Sequence, residues 1–504
     1  MSQTRAGMTG GVTEIRRRGP RPAGDPAGRD ADVSAAKRVL ARLDRLDMWS
    51  MPLLFVGIIG LGFLFTFYDV FDINVSFIQS CAALKPGCTP ETALNTIRVP
   101  IALNLAGYVA GALLLSPISD KIGRRNMLLV TMLLTGIGSL WNALAPDYTN
   151  FVLARVVTGM AVGADLSIVN TYIGEVAPRR NRAKWTSVIF VNSALGALLG
   201  IWLGLFLTTP STPWPHGLPF AQAGPGFENG WRWMYGVGAL LALIAVVLRV
   251  ELPESPRWLI GQGRVDEADR VVAQMEERAS RKGELPPVAD DVSPEMPAPG
   301  GYVSFKHVLG NATYVKRVLV LVLVWFFAYV TVFAISAGGT SLLTALHYPP
   351  PEAGIIQAVG AFGFLACALF AVRYAERLER KLWLPIGALI TVVGSILVAE
   401  AGTSTAIAFA GMAVVFFGFN VWVPMTYALS AESFPTRARV TGFGLVDGIG
   451  HLGGGIGVLL IAPQIPHMSV LGAFLLIAGF LVVAAVIGQF AIATRARRFE
   501  DVSP

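Results

Sequence analysis

Positive charge in this chain falls in alternate gaps between twelve apolar stretches, and that pattern limits the fold more than any other feature. Of the 40 Lys and Arg residues, 36 lie before Met51 or at Lys121–Arg125, Arg179–Lys184, Arg249–Arg317, Arg373–Lys381, Arg437–Arg439 and Arg495–Arg498. Lys85, Arg98 and Arg232 occupy the other gaps, and Arg155 lies inside a stretch. Cytoplasmic loops carry an excess of Lys and Arg. The expected topology is therefore a multi-pass protein of an inner or plasma membrane with both termini cytoplasmic.

Each stretch approaches the roughly 20 residues that a spanning helix needs. They run Pro52–Ser80, Ile97–Ser119, Met127–Ala145, Thr149–Tyr172, Trp185–Leu207 and Trp231–Val250, then Val318–Ala345, Glu352–Val372, Leu382–Ala401, Thr405–Leu429, Val440–Ile461 and Met468–Ala493. The expected fold class is all-α, with twelve transmembrane helices in two six-helix halves. Residues 1–50 form a cytoplasmic tail, 51–250 the first half, 251–317 a cytoplasmic linker, 318–493 the second half and 494–504 a second tail. Within the first tail, Met1–Ala31 reads as disordered. Ser34–Asp47 sets Val39, Leu40, Leu43 and Leu46 opposite Lys37, Arg38, Arg42 and Arg45, the pattern of an amphipathic helix lying on the inner leaflet.

Composition removes several function classes. Apolar residues make up 54% of the chain and charged ones 14%, which points to a membrane class. The basic excess suits anionic inner-leaflet lipids, at roughly 1 kcal/mol per well-placed residue, and calls for no nucleic acid. Cys81 and Cys88 share the first external gap, as a disulfide or as two unpaired thiols, while Cys367 sits in an apolar stretch. The Gly448–Gly457 run follows no strand and precedes no Lys-Ser pair, so it is not a phosphate loop. With no metal-ligand spacing and no nucleophile–base set, no metal, cofactor or enzyme activity is expected. The expected partners are a small-molecule substrate, protons and membrane lipids, and the protein is expected to act as a monomer.

The two halves repeat. Asp120, Lys121, Arg124 and Arg125 after the second stretch match Glu376, Arg377, Arg380 and Lys381 after the eighth. Glu175, Pro178, Arg180 and Arg182 match Glu432, Pro435, Arg437 and Arg439. A parallel repeat of two six-helix halves around a long central loop is a transporter architecture.

Over Pro52–Ala493 the chain resembles the major facilitator superfamily. The resemblance rests on Ser116-Pro-Ile-Ser-Asp120-Lys121-Ile-Gly123-Arg124-Arg125, with Ser116 where Gly is usual. Arg155-Val-Val-Thr-Gly159-Met-Ala-Val-Gly163, Pro253-Glu254-Ser255-Pro256-Arg257-Trp258 and Trp422-Val-Pro424 leading to Glu432-Ser-Phe-Pro435-Thr-Arg437 resemble its sugar-porter branch and proton-coupled relatives. Sugar porters usually carry Gln in helices five and seven, where this chain has Ser187–Asn192 and Trp325–Tyr329, and Tyr427 stands where Trp is common. Asp69-Val-Phe-Asp72 and Gly163-Ala-Asp165 look more like phosphate and organic-acid symporters.

Ionisable groups inside the stretches are few, and each costs about 2.5–3.5 kcal/mol at a helix centre. Asp72 and Arg155 fall at matching depths, so an ion pair between them is expected, and loss of that partner in a dry cavity favours the neutral, protonated acid. The resemblance implies that Asp72 and Arg155 couple a proton to transport; the alternative is a static interhelical pair. Asp69, one turn earlier, is expected to share that proton. Asp165, Asp447 and His451 form a candidate second relay, with Asp447 and His451 at the i, i+4 spacing of helical neighbours. Asn104, Asn192, Trp325, Tyr329, Gln357, Asn420, Trp422 and Tyr427 offer polar groups and ring faces to a substrate. Gly196, Gly200 and Gly204, and the glycines of helix eleven, permit close helix contact.

A cytoplasmic charge network is expected from Asp120 with Arg124 and Arg125, Glu175 with Arg182, Glu254 with Arg257, Glu376 with Arg380, and Glu432 with Arg437. The resemblance implies that it clamps the halves in an outward-open state. The expected function is a secondary active transporter that imports a small polar metabolite, a sugar or an organic-acid or vitamin-like compound, by proton symport through alternating access. A proton-coupled exporter and a non-transporting nutrient sensor are the alternatives. No Gly-Pro pair of the kind common in exporters occurs between Trp185 and Leu207, and the intact acid–Arg pair disfavours the sensor.

Overall fold

Apolar runs of this length leave the backbone one economical solution in lipid, a helix that satisfies its own hydrogen bonds. A computed structural model describes residues 26–46, 50–51, 53–177, 182–288, 308–434, 439–495 and 502. Among them, twelve helices are long and apolar enough to cross a membrane. In chain order the spans are Leu54–Leu84, Ala93–Ile118, Arg124–Leu144, Tyr148–Val176, Ala183–Thr208, Gly230–Arg249, Ala312–Ser336, Pro350–Tyr374, Arg380–Ala399, Thr405–Glu432, Thr441–Ile461 and Val470–Gly488. The shortest, at 19 residues, covers about 28 Å at 1.5 Å per residue, close to the hydrocarbon thickness.

The halves pack alike. The first span lies against the fifth and sixth, the second against the fourth, and the third against the fourth and sixth. The seventh against the eleventh and twelfth, the eighth against the tenth, and the ninth against the tenth and twelfth repeat that pattern. Across the interface the fifth span meets the eighth, and the second meets the eleventh. Equivalent glycines serve equivalent crossings. A Cβ at Gly196 would strike the carbonyl of Leu64, and one at Gly453 would strike that of Phe326, so only glycine allows either backbone approach.

The seventh span departs from the expected continuous stretch to Ala345. It ends at Ser336, and after Ala337 and Gly338 a short helix, Gly339–Ala345, begins. The Asn74 side chain of the first span knits this break. Its amide donates to the carbonyls of Ile335 (3.1 Å) and Ser336 (2.6 Å), while its oxygen accepts from Thr340 N (3.1 Å) and Oγ1 (2.6 Å). A helix end leaves backbone groups unpartnered, and here the other half of the molecule supplies the partner.

Beside the Arg- and Lys-rich loops, called here the basic face, three further helices pack together. They are α1 (Pro26–Asp44), α2 (Pro256–Gly261) and α3 (Val265–Ser280). The helix starts at Pro26, inside the segment expected to be disordered; residues 1–25 lie outside the described ones. The apolar stripe of α1 does not lie free on a leaflet. Val39, Leu40, Leu43 and Leu46 are buried in one cluster with Ala268, Val272, Met275 and Ala279. Arg42 binds Glu276 at 2.5 Å and also Asp269, Arg45 binds Glu276 at 2.7 Å, and Arg257 binds Asp44 at 2.5 Å. A protein partner with complementary charge satisfies the same stripe that a membrane surface would. At the opposite face, Cys81 and Cys88 are joined by a disulfide.

Candidate functional site

The fourth span carries Arg155 into the core of the first half, where it is 2% exposed. Its guanidinium reaches both acids of the first span. Nη1 lies 3.2 Å from Asp69 Oδ1 and 3.5 Å from Asp72 Oδ1, and Nη2 donates to the Asp69 carbonyl at 2.9 Å. Asp69 is thus the closer partner, and Ser139 Oγ donates to it at 3.4 Å. Asp72 Oδ2 and Arg155 Nε are buried with no hydrogen-bond partner among the described residues. Two carboxylates share one guanidinium, so with both acids ionised the trio carries one surplus negative charge, which one proton neutralises.

A cavity lies between the halves beside this trio. Thr66, Phe67, Val70, Phe71, Asn104, Tyr108 and Phe190 line it from the first half; Tyr329, Phe333, Ser336, Asn420, Tyr427 and His451 line it from the second. Asn104 joins cavity and trio, because its amide donates to the Arg155 carbonyl (2.7 Å) and to Thr158 Oγ1 (3.2 Å).

Asp447 stands behind the opposite wall, fully buried in the eleventh span. Tyr108 donates to Oδ2 at 2.5 Å from across the interface, and Tyr329 donates to Oδ1 at 2.9 Å from its own half. His451 stacks on Tyr108 with ring centroids 3.5 Å apart and lies 3.8 Å from the Tyr329 ring. Its Nδ1 sits 2.7 Å from the Asp447 backbone carbonyl and 3.7 Å from Oδ1.

The expected relay partner Asp165 is elsewhere. Arg249 grips it with Nη1–Oδ1 at 2.5 Å and Nη2–Oδ2 at 3.0 Å, both side chains fully buried, and Thr131 Oγ1 donates to it at 2.7 Å. Arg249 also donates to the Leu128 carbonyl, and a Cβ at Gly62 would occupy its guanidinium. This residue was expected in a basic loop, but its long side chain turns inward from the end of the sixth span because a buried carboxylate awaits it.

Among the expected substrate contacts, Asn104, Tyr329, Asn420 and Tyr427 lie on the cavity. Asn192, Trp325, Gln357 and Trp422 are not among the described residues that line it. Asn192 faces Gly60. Trp325 donates to Ser430 Oγ at 3.0 Å and packs among Tyr329, Trp422 and Tyr427. Gln357 packs on Gly339 and Met412. Tyr108 and Asn74 are the residues that sequence reasoning missed. A tyrosine in an apolar helix has the pattern of a packing residue, and Asn74 gains meaning only from the break opposite it.

The basic-face network also repeats. Arg124 reaches Glu175 at 3.5 Å in the first half, and Arg380 reaches Glu432 at 3.5 Å in the second. Glu254 does not pair with Arg257. It accepts from the backbone N–H groups of Arg124 (3.0 Å), Arg125 (3.3 Å) and Ser255 (2.9 Å), at the start of the third span, where the helix dipole favours an anion. Burial nevertheless holds the Glu254 carboxyl above its ordinary range, with those donors opposing. Glu376 binds Arg380 at 2.9 Å and accepts from Ala183 N (3.0 Å) and Lys184 N (3.3 Å), which ties the halves together. The Asp120 and Arg182 side chains and Arg437 lie outside the described residues.

A family model described as sugar (and other) transporter matches residues 53–504. The niacin transporter of Acinetobacter baylyi is 25% identical over 436 residues, 86% of this chain and 90% of its own length. The D-xylose transporter of Levilactobacillus brevis is 26% identical, over 79% and 84%. A solved structure of the major facilitator superfamily proton:xylose symporter superposes with a TM-score of 0.68 at 19% identity, covering 89% of this chain and 98% of that one. At that identity the likeness speaks to the fold.

Proposed function

Because the chain belongs to the sugar (and other) transporter family, we propose that it imports a small polar metabolite by proton symport, with the basic face cytoplasmic and one copy as the working unit. The observation that carries this reading is the sharing of Arg155 between Asp69 and Asp72 beside the cavity. In a low-dielectric site an acid keeps its charge only with a partner. Asp72 has the weaker hold on Arg155 and an unpartnered oxygen, which makes it the seat of the transported proton. Asn104 touches both the cavity and the Arg155 carbonyl, so a bound substrate and the trio act on one another through a single side chain.

Alternating access then needs two sets of contacts between the halves, one to open toward each face. The Asn74 knot on Ser336 and Thr340 breaks to open the cavity away from the basic face. The Glu376 contacts with Ala183 and Lys184 break to open it toward the basic face. A ligand shifts this equilibrium only by its differential affinity for the two states. Niacin and D-xylose, named for two of the relatives, support a substrate of that size.

The test is substrate-driven proton entry. Protein in liposomes containing a pH indicator acidifies the lumen when the right solute is added outside, without an imposed gradient. Solute entry with no acidification in any member of a sugar and vitamin panel would remove the symport reading.

A further inference from the structure

The hydrogen-bond directions around the cavity show a bias. Tyr108 and Tyr329 each commit their only hydroxyl proton to Asp447. Tyr427 lies 3.3 Å from the Tyr329 oxygen and therefore donates to it. His451 Nδ1 faces a backbone carbonyl, which can only accept, so in the neutral ring that nitrogen carries the proton and Nε2 keeps a lone pair. Asn104 likewise commits its amide protons to the Arg155 carbonyl and Thr158, leaving its oxygen. What these groups retain for a ligand is lone pairs and ring faces. Among the polar lining groups, free protons remain on the Thr66 and Ser336 hydroxyls, without partners in the described residues, and on the Asn420 amide, which donates one of its two to the Phe416 carbonyl.

Charge points the same way. No Lys or Arg is among the described residues that line the cavity. Arg155, beside it, is taken by Asp69 and Asp72, and the buried Arg249 of the sixth span is taken by Asp165. Asp447 has two phenol donors and, among the described residues, no Lys or Arg partner, and the rings of Tyr108, Tyr329 and His451 stand between it and the cavity. An anion here would meet lone pairs, ring faces and a carboxylate behind them. A cation would meet ring quadrupoles with that carboxylate in support.

Resting on the transporter reading of this cavity, we propose that its substrate is a small organic cation, selected by the acceptor-lined wall that Asp447 organises through Tyr108 and Tyr329. Because Tyr108 comes from one half and Asp447 from the other, separation of the halves also breaks one support of that wall. Asp447 is thereby a specificity residue that acts through the tyrosines.

The experiment is equilibrium binding to the purified full-length protein in detergent, with no gradient, so a failure of proton coupling leaves it readable. Nicotinate, nicotinamide and 1-methylnicotinamide have nearly one shape and carry charges of −1, 0 and +1; D-xylose is the sugar control. The cation is expected to bind about tenfold tighter than the neutral amide, in line with a desolvated cation–ring contact, with nicotinate and xylose weakest. Asp447→Asn is expected to bring the cation within about threefold of the amide, while Tyr329→Phe weakens both. If Asp447→Asn does not fold, the unmodified protein's ranking decides alone. A ranking in which the cation gains nothing over its neutral and anionic analogues, or in which xylose leads, overturns the proposal.

Discussion

Two buried acid sites face each other across the cavity, and they solve the same problem by different means. In the first half, Asp69 and Asp72 are held by a charge, Arg155. In the second, Asp447 is held by neutral donors, the hydroxyls of Tyr108 and Tyr329. A guanidinium shared by two acids leaves an odd charge that a proton can cancel, which suits coupling. A carboxylate ringed by phenols orders a wall and fixes which way its protons point, which suits selection. The difference teaches that burial alone does not assign a role to an intramembrane acid; the chemistry of its partner does.

The comparison breaks most severely at its one cation. Arg155→Met leaves two acids without a counter-charge, and removing one member of a buried pair costs about 3–5 kcal/mol. Thermal unfolding in detergent should show that loss, and restoring neutrality with Asp69→Asn and Asp72→Asn should recover stability but not proton-driven uptake. On the other side, Tyr108→Phe and Tyr329→Phe each remove one hydrogen bond to a charged group, about 1.5–3 kcal/mol. The two losses should be non-additive in a double-mutant cycle, because both act on one carboxylate. A strictly additive result would separate the tyrosines into independent packing residues.

A third acid site supplies the scale of an ion pair near solvent. Glu276 on α3 sits between Arg42 of α1 and Arg45 just beyond its end. Burial opposes its charge, but the hydrogen bonds from those two arginines prevail and hold its carboxyl below the ordinary 4.5. The stability it lends is therefore fully present above the ordinary carboxylate range and lost as pH falls through its lowered value. Glu276→Gln should cost at most about 1 kcal/mol, read as a greater separation between fluorophores on α1 and α3. In unmodified protein the same separation should appear only on acidification below that range. Release of α1 at neutral pH would instead place its apolar stripe, and not its charges, as the weaker contact.

The twelve spans and the repeat are legible in the sequence because lipid demands long apolar helices and the loops that join them repeat their acids and bases. Asp69, Asp72 and Arg155 are legible because charge inside such helices is rare. Arg249 is not, since an arginine at the end of an apolar run has the same pattern whether it points to water or to Asp165. Nor is the docking of α1, whose amphipathic stripe suits a leaflet and α3 equally well. Tyr108 is hidden among aromatic packing residues, and Asn74 is explained only by the break it fills at Ser336. What the sequence leaves out in each case is the partner, which lies from 84 residues away for Arg249–Asp165 to 339 for Tyr108–Asp447.

The division of labour between the two acid sites is tested most directly by comparing two modes of transport in Asp72→Asn liposomes. One is exchange of labelled for unlabelled solute at equal pH; the other is accumulation driven by a pH gradient. The expected result is exchange close to that of the unmodified protein with accumulation abolished, because the cavity and Asp447 are untouched while the proton's seat is gone. Accumulation that persists in Asp72→Asn, with the same dependence on the gradient, would contradict the assignment of coupling to the Asp69–Asp72–Arg155 trio.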